Sequence, residues 1–190
     1  MSSSVTVAPF GSWASPFRIE RLTDRVVFLT EATGIDGVCW WLEGRPEEAG
    51  IQVLVRRDPD GTLTRLTPPG FNARSRVHEY GGAASLIDGE LIVVSDFVSG
   101  RLNRVVAPEQ LVPLTPERQW RYADAIHDPA HNRLIAVRED HEPDTVARHG
   151  EWNNDLVAID QAPLEADGRL GPRLHVAGSR TDWISQPRWS

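Results

Sequence analysis

Ile51-Gln52-Val53-Leu54-Val55-Arg56-Arg57-Asp58-Pro59-Asp60-Gly61-Thr62-Leu63-Thr64-Arg65-Leu66-Thr67-Pro68 is the stretch that decides the fold. Its first six residues form an apolar, β-branched run. Asp58-Pro59-Asp60-Gly61 is a tight turn, and Thr62 to Leu66 is a second run. Asp-Gly between two alternating apolar segments is among the strongest local hairpin signals. The closing tripeptide Leu66-Thr67-Pro68 returns as Leu114-Thr115-Pro116, 48 residues later (114 − 66). A hairpin that ends in a recurring tripeptide points to a repeated β unit rather than a single sheet.

Upstream, Arg25 to Thr30 is β-branched and aromatic, and Gly34-Ile35-Asp36-Gly37 is a turn cluster. Val38-Cys39-Trp40-Trp41-Leu42-Glu43 follows and is stopped by Gly44-Arg45-Pro46. Residues 25–68 therefore read as four antiparallel strands in sequence. Downstream the plan recurs: Ala83 to Ile87, a turn at Asp88-Gly89, Glu90 to Ser95, a turn at Ser99-Gly100, Arg101 to Val106, and Leu111 to Leu114. A third unit runs from Tyr122 to Ile126, through His127-Asp128-Pro129-Ala130-His131-Asn132, to Arg133–Glu139. An insertion holding Pro143 and Gly150 leads to Asp155–Ile159, with Arg173–Val176 as the outer strand. No segment has 3.6-residue periodicity over three turns, and Pro163, Pro172 and Pro187 break the few candidates.

Four short strands every ~40–50 residues is the pattern of a β-propeller blade. Such a sheet buries its faces only against neighbouring sheets, so blades come in rings. The sequence thus predicts an all-β chain forming a partial β-propeller of about three four-stranded antiparallel blades plus the start of a fourth. The expected layout is an arm over residues 1–24, in which Phe10 and Trp13 dock on the body, and an incomplete propeller over 25–190. Its blades are expected at 25–68, 83–116 and 122–178, with the fourth beginning at 183–190. Three blades do not close a ring, so the chain is expected to be the amino-terminal piece of a longer protein.

Composition narrows the function. The formal net charge of −7 and pI near 5.3 argue against a general nucleic-acid binder, and no basic run offsets them. All 20 basic residues are arginine, which removes Schiff-base and P-loop lysine mechanisms. The single cysteine, Cys39, can form no disulfide within the chain and reads as a buried, inert thiol. The first fifteen residues lack the basic and apolar regions of a signal peptide. No window approaches the ~18–20 apolar residues of a membrane span. These features predict a cytoplasmic protein with no membrane and no nucleic-acid partner.

Several stretches together resemble one known family. They are Phe10-Gly11-Ser12-Trp13-Ala14-Ser15-Pro16, Trp40-Trp41-Leu42-Glu43-Gly44-Arg45-Pro46-Glu47-Glu48, and Phe71-Asn72 through Gly82. Arg121-Tyr122-Ala123-Asp124, Arg138-Glu139-Asp140-His141 and Ser185-Gln186-Pro187-Arg188-Trp189-Ser190 extend the match over nearly the whole chain in order. The chain resembles the N-terminal propeller of bacterial prolyl oligopeptidase family serine peptidases, in the dipeptidyl-peptidase and acylaminoacyl-peptidase-like branch. One departure is Ala83, where the family commonly has a third glycine after Gly81-Gly82. The resemblance implies a propeller that caps a C-terminal α/β-hydrolase domain. It also implies that the propeller limits access to short peptides and that the Ser-Asp-His triad lies outside this chain. The alternative is a stand-alone propeller-like interaction module with no peptidase attached.

The residues agree that this stretch holds no catalytic machinery of its own. A nucleophile elbow needs Gly-x-Ser-x-Gly, and Gly11-Ser12-Trp13 and Gly178-Ser179-Arg180 both fail it. His127 and His131 have the four-residue spacing of a helical zinc pair, but Pro129 between them makes a turn, so neither a metal nor a cofactor is expected. Glu139-Asp140-His141-Glu142 is a carboxylate-rich strand end that could bind a cation or a peptide amine, but a solvated loop is the favoured reading. Trp40 and Trp41 alternate across their strand, so each is expected in a blade interface. The candidate site is the heptad Arg76-Val77-His78-Glu79-Tyr80-Gly81-Gly82, a blade-to-blade junction with four titratable side chains. Within it Arg76, Glu79 and Tyr80 are the substrate-binding candidates. Glu79 or Arg76 would hold a substrate terminus by a charge-assisted hydrogen bond. In the structural alternative, Arg76 and Glu79 bridge blades while Tyr80 and the glycines shape the crossover.

Overall fold

The computed structural model describes residues 7–12, 26–161 and 175–177. Among these residues twelve strands form three four-stranded antiparallel sheets. The first holds β1 (Leu29–Ile35), β2 (Val38–Arg45), β3 (Ile51–Arg57) and β4 (Leu63–Arg65) in sequential order. The second holds β5 (Ser85–Asp88), β6 (Leu91–Ser95), β7 (Leu102–Ala107) and β8 (Gln110–Pro113). The third holds β9 (Trp120–Asp128), β10 (Arg133–Asp140), β11 (Asn153–Asp160) and β12 (His175–Ala177). These are the blades of a partial propeller, and the sheets do not close into a barrel.

The hairpin that announced the fold is present as read. β3 pairs with β4 across the Asp58–Gly61 turn, with Val55 opposite Arg65 and Arg57 opposite Leu63. β1 starts four residues later than the Arg25–Thr30 run, and Gly34-Ile35 belongs to the strand, so the turn is Asp36-Gly37 alone. The insertion after β10 contains a helix, α1 (Pro143–His149), with proline at its start. Gly150 closes it in the left-handed conformation (φ 80°) and donates to the Val146 carbonyl. Two turns are too short for a periodicity test, but proline first and glycine last are a helix's ordinary boundaries. Phe10 is fully exposed, while Trp13 and the expected fourth-blade start lie outside the described residues.

The middle blade is buried on both sides. Val93 packs toward the third blade with Leu102, Leu114, Tyr122, Leu134 and Val157. Its neighbour Val94 points the other way, into a cluster with Trp40, Leu42, Leu54 and Leu66 of the first blade's side and Ala84 at the start of the middle blade. Strand alternation therefore serves two interfaces at once. Trp40 is core of the first interface. Trp41 lies half-buried on the opposite face and donates from its indole to Glu43. Cys39 is exposed, not buried, because it alternates with Trp40.

The 48-residue repeat is a hydrogen-bonding device. Leu66 N–H donates to the Leu54 carbonyl at 2.8 Å, and Leu114 N–H to the Leu102 carbonyl at 2.8 Å. One residue on, the ladder ends and the threonine hydroxyl takes over as acceptor, for Leu54 N–H (3.3 Å, Thr67) and Leu102 N–H (3.0 Å, Thr115). Both threonines are fully buried. Thr115→Val is expected to strand the Leu102 N–H and destabilise the propeller by about 1–3 kcal/mol, with Thr115→Ser largely neutral. Urea unfolding of the full-length protein measures this; equal stability of Thr115→Val and wild type would refute the device.

Strand direction sorts the loops onto two faces. The β1–β2, β3–β4, β5–β6 and β7–β8 turns lie on one face. The opposite face carries the blade-to-blade crossovers together with the β2–β3, β6–β7 and β10–β11 connections. The heptad lies in the first crossover, so it sits on this second face with Ser99, Arg121, His141 and α1.

Candidate functional site

From Val77 to Tyr80 the heptad is a turn, with Glu79 N–H bonded to the Arg76 carbonyl (3.1 Å) and Gly81 N–H to the Val77 carbonyl (2.8 Å). His78 and Glu79 are both left-handed, at φ 57° and 61°. Two consecutive non-glycine residues in that region cost roughly 1–2 kcal/mol each and need outside support. Glu139 supplies it: its Oε1 accepts from His78 N–H at 2.6 Å. The same carboxylate is 1% exposed and lies 2.9 Å from His141 Nε2 and 3.6 Å from Arg121 Nη1. Glu139 is thus the buried anchor of the heptad, not part of a solvated loop.

Val77 packs with Ala123 and Val137, and its N–H is accepted by the Ser75 hydroxyl at 3.1 Å. Gly82 has no room for a side chain, because a Cβ there would lie 2.6 Å from Asp124 Oδ2 and 2.9 Å from the Ala123 Cβ. Beyond it Ala83 is accommodated: its N–H donates to Asp124 Oδ1 at 2.8 Å and its carbonyl accepts from Asp124 N–H at 2.9 Å. The close approach thus falls on Gly82 and not on Ala83.

Asp124 sits at a bulge in β9 and Glu31 at one in β1, and both are left-handed (φ 52°). Glu31 accepts from Ala84 N–H, Ser85 N–H and the Ser85 hydroxyl at 2.8, 2.8 and 2.6 Å. The innermost strand of the middle blade is therefore clamped at its start by a carboxylate from each neighbouring blade. Extra-residue bulges re-aim side chains in this way.

Of the three sequence candidates, Glu79 is the most exposed ion, with a side chain 64% open, and its Oε1 meets Arg121 Nη1 at 2.7 Å. That hydrogen bond, then the charge of Arg121, holds the Glu79 carboxyl below the usual range, with smaller help from His141 and Arg76. Arg76 lies over the Phe97 ring at 5.1 Å and reaches the Val98 carbonyl at 3.4 Å. Tyr80 is 88% exposed and borders a groove of 460 Å³ with Phe28, Glu31, Arg74 and Gly81. Arg76 and Glu79 thus converge on Arg121, whose Nη1 also donates to the Arg76 carbonyl at 3.2 Å, while Tyr80 faces a separate groove. Arg121 carries no site signal of its own in the sequence, and Glu139 and His141 are read there only within a strand end apart from the heptad, although two of the stretches carrying the family resemblance contain all three.

His127 and His131 take different partners: His127 Nδ1 lies 2.6 Å from Asp88 Oδ2, and His131 Nδ1 lies 2.8 Å from Asp128 Oδ2. Among the described residues no group of three or more His, Cys, Asp or Glu side chains is arranged to hold a metal ion. Nor, among them, is any helix long and apolar enough to cross a membrane.

No family model matches the chain, and no curated protein matches it. Solved structures do. A puromycin-hydrolyzing peptidase of Mycobacterium tuberculosis superposes with a TM-score of 0.74 at 26% identity, over 97% of this chain. The crystal structure of puromycin hydrolase gives 0.66 at 26% identity over 93% of it. A variant of puromycin hydrolase complexed with PGG gives 0.68 at 24% identity, also over 93%. This chain fits a fragment of the propeller domain of the prolyl oligopeptidase family. It spans 29% of the length of the mycobacterial peptidase and 28% of each of the other two.

Proposed function

We propose that this chain is the N-terminal part of the propeller of a prolyl oligopeptidase-like serine peptidase, and that it gates access of short peptides to a C-terminal α/β-hydrolase domain. The observation that carries this reading is the superposition of 97% of the chain on 29% of a puromycin-hydrolyzing peptidase. Topology supports it. In an antiparallel blade the outermost strand ends on the face where the next innermost strand begins, so a domain joined after the last blade meets the propeller on the crossover face. The heptad lies on that face. Val26, Val27, Phe28 and Leu29 at the start of the first blade are 57, 47, 68 and 61% exposed, as suits a blade that further blades would cover. The chain contributes no nucleophile and acts from the cytoplasm as gate and partial cradle.

In this reading Glu79 receives the substrate's amino terminus. Its Oε1 is held by Arg121, and its other oxygen is available for a charge-assisted hydrogen bond. Because its carboxyl is held low, the charge is fully present above the ordinary glutamate value of ~4.3 and is lost only as pH falls through the depressed value. Arg76 and Tyr80 would flank the bound peptide. Glu79→Gln in the full-length protein is expected to lower kcat/KM on short peptides about tenfold. Thermal stability should hold, since the side chain is exposed. An unchanged kcat/KM with lowered stability would leave Glu79 a blade bridge only. A reading frame that stops at Ser190, rather than continuing into further blades and Gly-x-Ser-x-Gly, would favour a stand-alone interaction module.

A further inference from the structure

A cleft of 210 Å³ opens on the crossover face between the second and third blades. Arg76 enters it from the first crossover, Val98 and Ser99 from the β6–β7 turn, Arg118 and Arg121 from the second crossover and the start of β9, and His141 from the end of β10. The charges are unevenly matched. Arg121 is compensated by Glu79 at 2.7 Å and lies 3.6 Å from Glu139. Neither Arg76 nor Arg118 forms an ion pair among the described residues. Each is instead held over an aromatic ring, Arg76 over Phe97 at 5.1 Å and Arg118 over Trp120 at 6.0 Å. Aromatic support pre-positions a planar fork without using up its charge. The nearby carboxylates border the adjoining hollow: Glu117 is exposed, and Glu142 accepts from Gln119 N–H at 3.1 Å.

We propose that this cleft binds a carboxylate of the substrate peptide, taken by the guanidinium groups of Arg76 and Arg118. The inference rests on the peptidase reading and adds to it a preference for anionic peptides. The cleft holds a group of carboxylate size, and guanidinium forks match that planar geometry. Arg121 is shared between the two halves of the site: one of its faces lines the cleft while its Nη1 holds Glu79. A peptide's positive amino terminus and a negative carboxylate would thus be read side by side. The carboxylate is either the C-terminal one or that of an acidic side chain.

Two peptide pairs distinguish those sources in the full-length protein: Ala-Ala-Ala against its C-terminal amide, and Ala-Glu-Ala amide against Ala-Gln-Ala amide. At least one acidic member should have a KM about tenfold lower than its neutral counterpart. Arg118→Gln should abolish the difference. Arg118 is exposed, so this variant tests binding and not folding. Equal KM values within both pairs in the wild type, or a preference that survives both Arg118→Gln and Arg76→Gln, overturns the proposal. If the protein hydrolyses none of the four, the peptidase reading fails by itself. Calorimetric titration with inorganic phosphate then decides the cleft: saturable binding lost in Arg118→Gln supports an oxyanion site, and identical titrations of the two proteins refute it.

Discussion

Glu139→Ala is expected to destabilise the crossover region by about 3–5 kcal/mol, the cost of removing one member of a buried, hydrogen-bonded charge group. The carboxylate is 1% exposed and meets His78 N–H, His141 and, at longer range, Arg121. Without it the His78 N–H is buried with no acceptor, and two left-handed residues lose the contact that holds them. Local opening of the heptad should then be far more frequent. Native-state hydrogen exchange of the full-length protein reads this directly: amides from His78 to Gly82 should exchange at least ~100-fold faster than in wild type. Glu139→Gln keeps an acceptor for His78 but loses the charge, so its effect should be intermediate. Glu139 touches no substrate in this account and is a positioning residue. In the peptidase reading, its loss should raise KM by disordering Glu79, and should also weaken the acid–amide preference, because Arg76, Arg121 and His141 line the cleft that Glu139 helps to hold. Unchanged exchange across His78–Gly82 would show that the turn stands without Glu139.

Most of the fold was legible because its signals are local. The Asp58–Gly61 and Asp88-Gly89 turns need only a few residues, and strand alternation at Trp40-Trp41 and Val93-Val94 follows from a period of two. The repeated Leu-Thr-Pro could be found by spacing alone, and its threonine hydroxyl proved to be the reason for the repetition. The site was legible only in part. The heptad announced itself by density of charge and glycine, but its anchor is 61 residues away in sequence. Nothing in Arg138-Glu139-Asp140-His141 distinguishes a buried carboxylate from a solvated one, since both suit a strand end. Glu31 and Asp124 were invisible for a related reason. Each is set by a bulge that shifts register, and a period-two reading assigns such a residue to the wrong face. Cys39 was misread because an apolar neighbourhood says nothing about which side of the strand a residue takes.

Gly100→Ala should be, after Glu139→Ala, the most damaging single substitution on the crossover face outside the heptad. Gly100 closes the β6–β7 turn, donating its N–H to the Asp96 carbonyl at 2.9 Å. Its φ is +73°, a region that costs an alanine roughly 1–2 kcal/mol. A Cβ there would also overlap the backbone carbonyl oxygen of Trp120, and main chain cannot swing aside as a flexible side chain can. Forcing the blades apart by such overpacking adds about 1–3 kcal/mol. The total, roughly 2–5 kcal/mol, would be felt at the interface between the second and third blades, where Leu102, Leu114 and Tyr122 pack. It would also fall on the cleft, because Trp120 supports Arg118 and the turn carries Val98 and Ser99. Gly100→Ala should therefore lower the urea midpoint of the propeller and weaken any preference for acidic peptides together. Arg118→Gln should abolish the second and leave the first unchanged. A Gly100→Ala protein with wild-type stability would mean that the β6–β7 turn can retreat from β9 without cost, and that the two blades are not locked at this point.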